Sequence, residues 1–158
     1  MAKKNTKAEL GTIEKKNTSG DYVYAIGRRK ESVARIRLYH NSTTWDGIAV
    51  SKGDIVVNKK KAMEYFGEGG VKVYGEPLRL TNTEKKFAIT VVVKGGGKMG
   101  QLDSTALGIA RALDKLDRGK LRLILKKKGF LTRDPRVRQR RKVGMGGKAR
   151  RKKQSPKR

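Results

Sequence analysis

Apolar and basic residues alternate between Ser32 and Tyr39, with Ala34, Ile36 and Leu38 on one side and Val33, Arg35, Arg37 and Tyr39 on the other. A period of two predicts a strand buried on one face and cationic on the second. Tyr22–Ile26 predicts a strand before it, ended by Gly27, so that Gly27-Arg28-Arg29-Lys30 reads as a basic turn. Ile55–Asn58 predicts a third strand. The nearly unbroken run of β-formers at Phe87–Val93 predicts a central strand covered on at least one face. Leu102, Ala106, Ile109, Leu113 and Leu116 recur at alternating spacings of four and three, which is one apolar stripe of a helix. Leu121–Lys128 predicts a short helix closed by Gly129, and Lys60–Phe66 predicts one or two helical turns stopped by Gly67. Residues 41–54 are polar and read as a loop holding the only tryptophan, Trp45. In 68–86 the pattern favours a short strand at Val71–Tyr74 and a helical turn after Pro77. These elements predict an α+β fold, a mixed sheet of about four strands with helices on one face.

The pattern stops at both ends. Residues 1–20 show no period and read as a flexible N-terminal extension. From residue 130 onward the apolar residues are few and aperiodic, so residues 130–158 read as a long, extended basic C-terminal tail, disordered alone. The compact domain is left as 21–129. Charge sharpens that division. The chain has 158 residues and carries 41 basic and 14 acidic side chains, net +27. Lys126–Arg158 holds 16 basic residues against one acidic, a net +15, in about a fifth of the length. Such a balance points to a polyanionic partner, above all a nucleic acid. Between Arg133 and Arg151 the cations are mostly arginine, suited to bidentate phosphate contacts. Pro135, Pro156 and the glycines at 144, 146 and 147 prevent one long basic helix, so the tail reads as a segment that threads a groove.

Other chemistries find little support. The absence of cysteine removes disulfides, thiolate zinc sites and cysteine nucleophiles. The only histidine, His40, has no partner for metal binding or catalysis and reads as a surface residue at a strand end. The acids are scattered, and Asp134 before Pro135 reads as a turn residue. No apolar run approaches the roughly 20 residues of a membrane span, so no membrane is expected. Gly95-Gly-Gly-Lys-Met-Gly100 fits G-x-G-x-x-G between a strand and a helix, but the second strand and ribose-binding acid of a dinucleotide fold are missing. The glycines could receive a phosphate of RNA, or form a tight turn with no ligand. No enzyme, no cofactor and no metal are expected. A free cationic protein compacting DNA or RNA is the rival reading. A nucleotide-binding enzyme using the glycine turn is a third.

Several stretches carry a resemblance. YAIGRRKESVARIRLY (24–39), IVVN and EYF (55–58, 64–66), VVVKGGGKMGQ (91–101), GIARAL (108–113), GFLTRDPRV (129–137), KARR (148–151) and the closing KR follow one another in order. In combination they resemble the family of small-subunit ribosomal protein S nine, in its bacterial or organellar branch. Residues 102–107 depart from the small residues and histidine usual there. Residues 152–158 keep the usual length and terminal Lys-Arg but lose an aromatic. The resemblance implies a structural constituent of the head of the small ribosomal subunit, in cytoplasmic or organellar ribosomes. Its partners would be small-subunit rRNA, neighbouring head proteins and the P-site tRNA. The expected rRNA ligands are Arg28, Arg29, Lys30, Arg35, Arg37 and Lys98 on the domain, and Arg133, Arg136, Arg138, Arg140, Arg141, Lys148, Arg150 and Arg151 in the tail. Lys157 and Arg158 are expected to contact tRNA. Arg28 and Arg29 are expected to be free surface cations whose loss leaves the melting temperature unchanged.

Overall fold

The structure, a computed structural model, describes residues 22–140. Strands β1 (Tyr22–Arg29) and β2 (Ser32–Tyr39) form a hairpin, and β2 pairs on its other side with β7 (Ala88–Lys94), again antiparallel. β5 (Ile55–Val57) runs parallel to β7 and carries the two-residue β6 (Lys60–Lys61) at its outer edge. The mixed sheet therefore has five strands in the order β1-β2-β7-β5-β6, against about four expected. α1 (Ala62–Phe66) and α2 (Glu68–Leu80) make the crossover from β5 to β7, and α3 (Lys98–Leu116) and α4 (Arg118–Lys127) follow β7.

Ala34, Ile36 and Leu38 of β2 and Ile89, Val91 and Val93 of β7 are buried beneath α3, whose Leu102, Ile109 and Leu113 close the core. The stripe read from the sequence is thus the packed face of α3. α4 begins at Asp117, whose side chain accepts a hydrogen bond from Lys120 N–H, and ends in a left-handed Gly129 (φ +77°). There Phe130 N–H bonds Leu125 C=O and Gly129 N–H bonds Lys126 C=O, the paired bonds of a glycine-closed helix end.

Three expectations need correction. β1 does not stop at Gly27; it runs to Arg29, and the turn is Lys30-Glu31, with Lys30 at φ +51°. Gly27 marks where α3 crosses β1, because a Cβ there would sit 1.8 Å from Ser104 C=O. The polar loop 41–54 contains a hairpin, β3 (Thr43–Trp45) and β4 (Ile48–Val50), joined by Asp46-Gly47 with φ of +50° and +82°. Both angles are positive, as the tight two-residue turn of an Asp-Gly pair requires. The segment 68–80 is one helix, not a strand and a separate turn. Its glycines and Pro77 weaken intrinsic helicity, but Gly70, Tyr74, Pro77 and Leu78 fall at helical spacing and are all buried, so packing outweighs propensity.

β1 is an edge strand, and two of its outward carbonyls are occupied. Arg111 of α3 donates to Ile26 C=O at 3.0 Å, and Lys115 donates to Tyr24 C=O at 2.9 Å. Among the described residues no helix is long and apolar enough to cross a membrane.

Candidate nucleic-acid interface

Directly opposed residues of an antiparallel pair share a face. The register therefore gathers Tyr22, Tyr24, Ile26 and Arg28 of β1 with Val33, Arg35, Arg37 and Tyr39 of β2, and with Ala88, Thr90, Val92 and Lys94 of β7. This is the sheet face turned away from α3. Over these three strands it carries four cations and no acid. Arg28, Arg35, Arg37 and Lys94 are exposed, and none has an acidic partner among the described residues. The Arg37 guanidinium lies over the Tyr22 ring, 5.3 Å from its centroid, and Tyr22 stands 5.4 Å from Tyr39. Trp45 of the β3–β4 hairpin packs on Tyr39, Val50, Val56 and Ala88, closing one end of the face and forming the wall of a groove there. The sequence predicted the outward arginines. It did not predict the aromatic wall, although the Trp-Asp-Gly hairpin signal was present in 45–47.

The opposite end of β1 is a different environment. Arg29 is half-buried: its side chain retains 13% of its accessibility. It pairs with Asp103 of α3 at 3.3 Å and Asp134 at 2.9 Å, and donates to Arg136 C=O at 3.2 Å. Asp134 in turn accepts from Arg136 N–H at 2.9 Å and from the Arg136 guanidinium at 2.6 Å. The bond two residues ahead makes Asp134 a turn residue, as its place before Pro135 predicted. The Arg136 hydrogen bonds, then the nearby charge of Arg29, hold the Asp134 carboxyl far below the usual carboxylate range, and Asp134 raises Arg136. A depressed native value means the pairing is fully formed above the ordinary value of 3.8 and is lost only as pH falls through the depressed one. The knot that fastens residues 133–136 to β1 and α3 is therefore insensitive to pH near neutrality.

Arg29 is thus occupied within the protein, whereas Arg28 is not, and the two arginines expected to act alike are separated. Replacing Arg29 with alanine is expected to lower stability by about 1–2 kcal/mol, because Asp103 and Asp134 lose a charged donor. Arg28→Ala should stay within about 0.5 kcal/mol. Paired denaturant melts of the two variants test the separation.

Lys30 and Lys98 are exposed, as are Arg133, Arg138 and Arg140; residues 133–140 run without helix or strand. Arg136 is exposed but engaged by Asp134. Arg141, Lys148, Arg150, Arg151, Lys157 and Arg158 lie outside the described residues, as do the N-terminal extension and most of the tail. The glycine turn has a packing explanation. Gly95 and Gly96 are left-handed at φ +76° and +64°, and a Cβ on Gly96 would meet the Ser32 hydroxyl at 2.1 Å. Ser32 and Gln101 both donate to Gly95 C=O, and Gln101 accepts from Tyr65, which accepts from Asn58. That chain of bonds ties the turn to α1, β5 and β7. His40 sits exposed just past β2, edge-on to Phe87 at 5.3 Å.

A family model described as Ribosomal protein S9/S16 matches residues 27–158, from the α3 crossing on β1 to the last residue.

Proposed function

From the premise that the chain belongs to the ribosomal protein S9/S16 family, and so is an RNA-binding structural constituent of the small ribosomal subunit, we propose how it is held there. The acid-free outer face of the sheet, with Arg28, Arg35 and Arg37, together with Lys30 and Lys98, contacts rRNA phosphates of the subunit head. Arg133, Arg138 and Arg140 continue that path. Arg141, Lys148, Arg150 and Arg151 extend it, and Arg136 adds its exposed guanidinium beside Asp134. The role is structural, not catalytic, and its setting is the ribosome of the cytoplasm, with an organellar ribosome as the alternative. Neighbouring head proteins complete the surroundings.

The observation that carries this reading is four cations on one face of β1, β2 and β7 that have no acidic partner among the described residues. Binding through phosphates releases counterions, so affinity for structured rRNA fragments is expected to fall with salt at a log–log slope of several units, each phosphate contributing roughly 0.7–0.9. Arg35→Gln with Arg37→Gln should reduce that slope by about 1.5. A slope unchanged in the double variant would place the contacts elsewhere.

The reading extends to the tip. Residues 130–158 number 29 and span at most about 100 Å when fully extended, long enough for a tail anchored at the head to reach the P site. Lys157 and Arg158 would meet phosphates of the tRNA there. Their loss with residues 155–158 should leave assembly intact and weaken P-site tRNA binding by about 1–3 kcal/mol. Dissociation of tRNA from assembled subunits is the measurement, and an unchanged rate would leave the rRNA scaffold as the whole function.

A further inference from the structure

The groove on the outer face has more than charge. Its volume is about 400 Å³, within the roughly 300–1,000 Å³ of clefts that take small planar groups. Tyr22 and Tyr24 keep 37% and 40% of their accessibility. Their hydroxyls have no hydrogen-bond partner among the described residues. Trp45 forms a wall, Thr90 and Val92 form the floor, and Arg35 and Arg37 line the same recess.

Flat aromatic surface beside unpaired guanidinium groups matches a nucleotide: the rings stack a base while arginine holds its phosphate. A paired base is excluded, because in an A-form duplex the base faces are covered by their neighbours. A peptide added as a strand would need a free strand edge, whereas on β1, the edge strand beside the groove, the Tyr24 and Ile26 carbonyls are already held by Lys115 and Arg111. We propose that this groove captures an unpaired base of RNA, stacked on the Tyr24 and Trp45 side chains with its phosphates on Arg35 and Arg37. The inference rests on the RNA-binding reading above and adds to it a site for one extruded nucleotide, in place of phosphate contact alone.

Trp45 is the only tryptophan, so its fluorescence reports this groove and nothing else on the chain. The full-length protein is titrated with an end-labelled single-stranded hexaribonucleotide, an abasic hexamer of equal charge and a duplex of equal charge. Anisotropy of the label follows total binding, and Trp45 emission follows the groove. The single strand should quench Trp45, while the abasic and duplex forms bind by anisotropy without quenching. Tyr24→Leu should weaken the quenching midpoint by about 10-fold, the weight of one stacked base, with its melting temperature nearly unchanged. Equal quenching by the abasic hexamer, or bound hexamer with no quenching at all, would overturn the stacking site and leave RNA binding standing. Loss of anisotropy as well would overturn both. Quenching by an acidic apolar peptide but not by the hexamer would assign the face to a protein neighbour and overturn the proposal.

Discussion

Gly27→Ala is expected to destabilise the domain by more than about 3 kcal/mol, the largest loss available from adding one methyl group. The added Cβ would lie 1.8 Å from Ser104 C=O, 2.6 Å from Gly108 N and 2.9 Å from the Ser104 carbonyl carbon. All three are backbone atoms of α3, so no side chain can swing aside. The helix must lift off β1, and Ile109 and Leu113, both fully buried, lift with it. Overpacking usually costs about 1–3 kcal/mol when side chains can yield, and here they cannot. Domains of this kind have about 5–15 kcal/mol in total, so the variant should lose a large fraction of its stability. Gly108→Ala is the control. Its Cβ meets the Ile36 side chain at 2.6 Å and backbone only at 3.2 Å, at Gly27 N, so its cost should be smaller. Urea denaturation of both variants decides the matter. A Gly27→Ala loss below about 1 kcal/mol would mean that α3 does not approach β1 so closely.

Truncation after Arg140 is expected to have the largest effect on RNA binding and little on folding. The removed residues 141–158 hold nine basic side chains and no acid. If all nine neutralise phosphates, the log–log salt slope falls by about 6–8 and the affinity at low salt drops by several orders of magnitude. The fastening knot of Arg29, Asp103, Asp134 and Arg136 remains in the truncated chain, so the melting temperature should stay near that of the full protein. A slope that barely changes would place binding almost wholly on the sheet face and the first part of the tail.

The parts of the fold legible in the sequence were those whose pattern is produced by a single partner surface. The alternation in β2 and the stripe of α3 arise because one face of each packs on the other, and both read correctly. α2 was hidden because its burial at Gly70, Tyr74 and Pro77 uses residues that disfavour a helix in isolation. Gly27 reads as a strand end because a glycine demanded by a crossing helix cannot be told in sequence from one demanded by a turn; the difference lies in Gly108, 81 positions away. Arg29 and Arg28 are identical neighbours in the sequence, yet alternation puts them on opposite faces of β1, one toward Asp103 and one toward solvent. The candidate interface was half legible for a similar reason. The outward arginines follow from period two within β2, but the wall contributed by Trp45 depends on where a separate hairpin folds back.

The occupied edge of β1 bears on the time before this protein meets RNA. A strand at the margin of a sheet invites the same strand of another copy to continue it. Tyr24 and Ile26 offer the carbonyls such a neighbour would need, and Lys115 and Arg111 already hold them. In the folded domain two cations of the protein's own helix thus cap two of the acceptors along that edge. They leave fewer acceptors for a second copy to pair with, and because they are committed inward they are not available to the nucleic acid that the other cations await.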